Sequence, residues 1–248
     1  MTSIQNPQSI DYPVRVVAFI DILGFSHLIG GIGEDPALHA KVKHALTWFN
    51  FMRESSLRPF TAQSTLEFAV FSDSVVISAE VHELRSIIWS SLHLQAELLG
   101  IGVLLRGGIA KGRLVHTGNL IYGEGMLRAH ELESRVAVYP RVIIEDDLVA
   151  SLSDKYRSTF LRQDSDAMWF IDPFSIGIRG IDGEALAADG YDPYQIALKE
   201  LGAEIDRQIA QTAELHHRVK WTWLKCQHEL AVGELKRDGV TRWELMRG

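Results

Sequence analysis

A single cysteine, Cys226, stands in a chain of 248 residues, so an internal disulfide is excluded and a reducing, cytoplasmic setting is the expectation. Within the stretch WTWLKCQHEL, Trp221–Leu230, that thiol reads as a packed side chain rather than a reactive one. Long apolar runs are missing too: none approaches the roughly 20 residues that span a bilayer, so no membrane partner is expected. The opening residues, MTSIQNPQSIDYP, lack the basic start and apolar centre of a secretion signal and read as a short arm over residues 1–13. Basic charge is in deficit, with 25 Lys and Arg against 32 Asp and Glu and a net charge of −7. Without a basic face, stable nucleic-acid binding is not expected. One small polyanion remains compatible, because metal, arginine and backbone N–H groups can meet its charge locally. Internal repeats and low-complexity segments are absent. What is present, 46% hydrophobic and 23% charged residues, is the composition of a soluble globular protein.

Two stretches carry the chemistry. The first is Arg15–Ser26, RVVAFIDILGFS. Its apolar run has the length of a buried strand, and then it meets Asp21 and breaks at Gly24. A carboxylate straight after such a run needs a cation, a cage of hydrogen bonds or an exit to solvent, because burying it unpaired costs several kcal/mol. Alone, Asp21 also reads as a cap for the next helix. The second stretch is Leu66–Ala79, LEFAVFSDSVVISA, where two apolar runs flank Ser72-Asp73-Ser74 as a hairpin with Asp73 at its tip. Asp in a turn is ordinary by itself. About forty residues of helical pattern separate the two stretches. That order predicts a right-handed crossover with the third strand slotted between the first two. Asp21 and Asp73 then meet at one edge of the sheet, where two carboxylates repel unless a hard cation such as Mg²⁺ or Mn²⁺ lies between them.

The remaining pattern predicts a helix from Asp35-Pro36 to Ser55, a loop over Arg58–Ser64, a strand over Thr65–Phe71 and a helix over His82–Leu99. A strand over Val103–Ala110 is expected to turn at Lys111-Gly112 into Arg113–His116, and again at Thr117-Gly118-Asn119 into Leu120–Tyr122. A helix over Gly123–Val136, a strand over Pro140–Ile144 and a short helix from Glu145-Asp146-Asp147 to Ser151 follow. Met168–Ile171 suggests an edge strand, and Asp189–Pro193 a turn. Tyr194–Val232 reads as one long helix for packing or dimerisation, before a tail over Arg237–Gly248 anchored by Trp243. His216 and His217 on that helix point in different directions and are not expected to share a metal.

FIDILGFS, FSDSVVIS, LLRGGIAKGRLVH and YGEGMLRAHELES resemble, in order and spacing, a class III nucleotide cyclase domain over roughly residues 14–150. The small size and the FSDS hairpin are most similar to the stand-alone pyrimidine cyclases of bacterial anti-phage defence, the Pycsar family. The resemblance implies an α+β, ferredoxin-like fold: a mostly antiparallel sheet with helices packed on it, plus a C-terminal helical extension over residues 151–248. It implies two Mg²⁺ or Mn²⁺ per site on Asp21, Asp73 and the Ile22 carbonyl, and a triphosphate along Ile22, Leu23, Gly24, Phe25 and Ser26. A base and ribose pocket would involve Phe68, Ala69 and Leu120. Ala69 stands where purine cyclases carry a base-reading lysine, which points to a pyrimidine; of the two, UTP is taken before CTP, a ranking that no residue carries. Leu127 and Glu131 stand where the family places an asparagine and an arginine, so Arg128 is the substitute transition-state cation, with Arg106 and Lys111 as further candidates. A homodimer with composite sites is implied, with a separate cyclic-nucleotide effector not bound directly. An adenylate or guanylate cyclase, and an inactive cyclase-like binding or dimerisation module, remain the alternatives.

Overall fold

The apolar run after Pro13 forms strand β1, Val14–Ile22, the third strand across a seven-stranded sheet. The computed structural model describes residues 12–56, 64–175 and 193–238. The expected arm up to residue 11, the loop over 57–63, the turn at 189–192 and the tail from 239 lie outside those residues. In chain order, β1 is followed by α1 (Phe25–Gly31), α2 (Pro36–Ser56), β2 (Glu67–Phe71), β3 (Ser74–Glu80), α3 (Leu84–Gly100) and β4 (Leu105–Arg113). Next come the ribbon β5 (Val115–Thr117) and β6 (Leu120–Tyr122), then α4 (Glu124–Glu131), which runs on as a π-helical turn over Leu132–Val136. Then follow β7 (Val142–Ile144), α5 (Asp146–Ala150), α6 (Asp154–Phe160), β8 (Leu161–Gln163) and β9 (Trp169–Ile171). Two helices, α7 (Pro193–Gln211) and α8 (Leu215–Asp238), complete the described chain.

The large sheet has the order β2-β3-β1-β4-β7-β9-β8 and is antiparallel throughout except where β4 meets β7. Its first four strands, with the helices between them, have the expected α+β arrangement, β3 lying between β1 and β2. Successive strand side chains face opposite ways. Val16, Ala18, Ile20 and Ile22 therefore join the main core, with Phe49 of α2 and Ile87, Ile88 and Leu92 of α3. Val17 and Phe19 face the other side, under Ala129 of α4, and Asp21 continues that row to the strand's end. Asp35 starts α2 as expected, its Oδ1 accepting from the backbone N–H groups of Ala37 at 2.8 Å and Leu38 at 3.1 Å.

Several expectations are corrected. β4 does not turn at Lys111-Gly112 but runs straight through to Arg113. Gly112 is there because the backbone of Gly125, at the start of α4, lies where its Cβ would be. The chain enters α1 through Gly24 at the cap position, in the left-handed conformation at φ 78°, and Ser26, which the sequence also offers as the cap, lies inside the helix. β9 is not the sheet edge, because β8 pairs outside it. The long C-terminal helix is two helices, broken between Gln211 and Leu215. They pack on each other and on Leu99 of α3 through Leu198, Leu201, Ile205, Trp221 and Leu224. Fully buried Arg141 fastens α8 to the sheet: it pairs with Asp164 at 2.7 Å, and Asp164 accepts from Trp223 Nε1 at 2.9 Å. Cys226 is exposed on α8 rather than packed.

Candidate active site

Asp21 is the penultimate residue of β1, opposite Ser74 on β3 and Arg106 on β4. The hairpin between β2 and β3 turns on Ser72 and Asp73, with Ser72 at φ 54°, a conformation non-glycine residues rarely adopt. The Ile22 N–H donates to the Asp73 carbonyl at 3.1 Å, which ties the hairpin tip to the end of β1. The two carboxyl groups thereby come within hydrogen-bonding reach of each other. Ser74 Oγ donates to Asp21 Oδ1 at 3.2 Å, and Arg106 Nη2 lies 3.7 Å from Asp21 Oδ2.

A third carboxylate closes the group. The π turn after α4 lays Glu133 against the sheet, buried at 3% exposure, with Oε1 2.5 Å from Arg106 Nε. The close approach is allowed by Gly108, whose missing Cβ would collide with the Ala129 carbonyl and the Leu132 side chain. Burial, then the charges of Asp73 and Glu133, push the Asp21 carboxyl up to about 7. Burial likewise raises Glu133 despite its arginine partner. Three carboxylates thus share one close arginine, and the surplus negative charge suits a hard divalent cation with oxygen ligands. Asp21 and Asp73, at the end of β1 and the tip of the hairpin, are the two of these carboxylates that could hold one. In sequence Glu133 reads either as a surface charge or as a group that positions Arg128; nothing in the spacing of YGEGMLRAHELES distinguishes a π turn from a continuing α-helix.

Other expected site residues are dispersed. The N–H groups of Ile22 and Leu23 are already given to Asp73 and to Leu104, the latter at 2.8 Å, so neither is available to a phosphate. Gly24, Phe25 and Ser26 form the turn and the first residues of α1. Leu23 and Gly24 instead border a cavity of 440 Å³, whose walls include His27, Lys41, His217 and Lys220. Burial and then the charge of Arg106 lower the Lys220 ammonium from its ordinary value. Arg128 does not reach Asp21 within one chain. Its Nη2 lies 2.5 Å from Glu145 Oε1, and its Nη1 donates to the Lys111 carbonyl at 3.1 Å. Lys111 itself pairs with Asp147 at 2.7 Å and lies opposite Val16, five residues along β1 from Asp21. The base-pocket residues are not assembled either. Phe68 is buried in the main core, on the face away from Asp21. Ala69 is fully buried opposite Val76, and Leu120 is 61% exposed on the ribbon.

No family model matches the sequence, and no curated protein matches it. Among solved structures, a bacterial light-regulated adenylyl cyclase aligns with a TM-score of 0.42 at 15% identity, over 79% of this chain and 59% of that one. A second structure of a bacterial light-regulated adenylyl cyclase aligns with a TM-score of 0.43 at 14% identity, over 67% of this chain and 92% of that one. The guanylyl cyclase Cya2 aligns with a TM-score of 0.39 at 12% identity, over 65% and 93% of the two chains.

Proposed function

We propose that this chain is a nucleotide cyclase that converts a pyrimidine nucleoside triphosphate, UTP before CTP, to its 3′,5′-cyclic monophosphate and pyrophosphate. The observation that carries the reading is the meeting of Asp21 and Asp73 at the β1 end, with Asp21 driven to about 7 first by burial and then by the charges of Asp73 and Glu133. The pair sits in the sequence blocks FIDILGFS and FSDSVVIS that resemble class III cyclases. Bound there, two Mg²⁺ or Mn²⁺ would acidify the ribose 3′-hydroxyl and neutralise the polyphosphate. The 3′-oxygen attacks the α-phosphorus in line; the bond from that phosphorus to the bridging oxygen breaks, pyrophosphate leaves with the electron pair, and the hydroxyl proton passes to solvent. Arg106, held by Glu133, steadies Asp21 from the β4 side.

Because Arg128 lies away from Asp21 in its own chain, its catalytic role requires a homodimer in which it serves the partner's acidic pair. Leu120, Tyr122 and Leu127, all large and exposed on the ribbon and α4, supply apolar surface for such contact. The absence of a charged group at Ala69 favours a pyrimidine over a purine, and the product would act as a second messenger in defence against phage. Incubation with each of the four ribonucleoside triphosphates and Mn²⁺, with products resolved by mass, tests the reading. Cyclic UMP as the main product supports it, and a cyclic purine product removes the pyrimidine assignment. A second reading, a binding module without turnover, is favoured by Arg106 as a built-in counter-charge between Asp21 and Glu133. It predicts bound nucleotide and no product with any of the four.

A further inference from the structure

Outside the acidic pair, the break between α7 and α8 gathers a different set of donors. Glu214, His216 and His217 each offer one ligand atom, and the three atoms lie within 4.8 Å of one another. Sequence spacing had set His216 and His217 on diverging directions. At the start of α8 their rings instead turn toward each other, with centroids 4.0 Å apart. Glu214 Oε2 is 3.4 Å from His216 Nε2 and 3.4 Å from His217 Nδ1. In a tetrahedral zinc site with bonds of about 2.0–2.1 Å, neighbouring ligand atoms stand roughly 3.3–3.4 Å apart. Two of the three edges of this donor triangle already have that length.

His217 is also held in place. Its Nε2 lies 3.6 Å from where a Cβ on Gly24 would be, and its ring meets His27 edge-on at 5.1 Å between centroids. That packing against the turn between β1 and α1 leaves Nδ1 facing Glu214. Two imidazoles and a carboxylate are borderline donors that select Zn²⁺, Co²⁺ or Ni²⁺ over Mg²⁺, unlike the all-oxygen pair at Asp21 and Asp73.

We propose that Glu214, His216 and His217 form a transition-metal site, with Zn²⁺ as the fitting ion, at the start of α8 where His217 packs against the turn between β1 and α1. The three protein ligands leave a fourth position for water or an anionic group. The site does not depend on the cyclase reading.

The test is calorimetric titration of Zn²⁺ into tag-free protein carrying Asp21→Asn and Asp73→Asn, so that the oxygen pair does not contribute. Co²⁺ is titrated in parallel, and its visible absorption reports tetrahedral coordination. The expected result is one Zn²⁺ per chain, with affinity falling at least about tenfold on adding either His216→Ala or His217→Ala. Melting curves of the metal-free variants establish that the fold is intact, and Glu214→Gln, which keeps the shape and removes the charge, should weaken binding in the same direction. Unchanged affinity in both histidine variants, or no binding by the unmodified cluster at about 100 µM Zn²⁺, would overturn the site.

Discussion

At the scale of single residues, Asp21 is under electrostatic load. Its folded value of about 7 stands above its ordinary 3.8, so between those pH values the native chain keeps a proton that the unfolded chain has lost. Stability from this group is therefore full below about pH 4 and is lost as pH rises through 7. In metal-free buffer, Asp21→Asn should stabilise the protein at pH 8 by on the order of 1–2 kcal/mol while abolishing cyclisation, as seen by urea melts beside product assays. Wild-type stability at pH 8 in the variant would contradict a raised Asp21 carboxyl. His116 acts with the opposite sign. It is buried, its Nδ1 lies 2.7 Å from Ser78 Oγ, and burial followed by the charge of Arg15 lowers it to about 4. The unfolded imidazole takes a proton below about 6.5 that the native one refuses, so stability is lost as pH falls from there toward 4. His116→Gln should flatten that acid limb of the stability profile, whereas Asp21→Asn should steepen the net rise of stability with pH over the same window.

At the scale of elements, the site depends on how closely the helix after β6 can approach β4. Gly108→Ala would drive a methyl into the Ala129 carbonyl and the Leu132 side chain. The expected cost is about 2–3 kcal/mol, read as a melting point lower by several degrees, together with weaker divalent binding as Glu133 and Arg106 are displaced. A melting point equal to wild type would mean the π turn is not what holds Glu133. The same glycines show why some of the architecture was legible and some was not. β1, the hairpin and the two crossover helices could be read because their apolar residues repeat at strand or helix period and end at Gly24, Ser72-Asp73 and Gly100. Gly112 misled because close helix approach and a turn both demand glycine, and only the position of Gly125 separates the two. The break between α7 and α8 was hidden because Thr212-Ala213-Glu214 contains neither proline nor glycine. Glu133 was hidden because its role comes from a π turn and from Arg106, 27 residues away in sequence.

At the scale of the whole molecule, one chain brings the carboxylates together and leaves Arg128 near Lys111, Glu145 and Asp147. If Arg128 acts across a dimer, inactive Asp21→Asn and inactive Arg128→Ala chains complement each other. Each mixed dimer then holds one intact site, so random mixing should restore about a quarter of wild-type activity. No recovery on mixing, from variants confirmed to be dimeric, would place the transition-state cation elsewhere, with Lys220 on the wall of the cavity beside Leu23 and Gly24 the next to test.

The central claim is that Asp21 and Asp73 hold divalent metal jointly. Its most direct measurement is a titration of Mn²⁺, followed by electron paramagnetic resonance, into wild type, Asp21→Asn and Asp73→Asn at pH 7.5, each also carrying His216→Ala to silence the cluster on α8. Loss of the same tight Mn²⁺ in both aspartate variants is the predicted result. Wild-type stoichiometry and affinity in either one would contradict it.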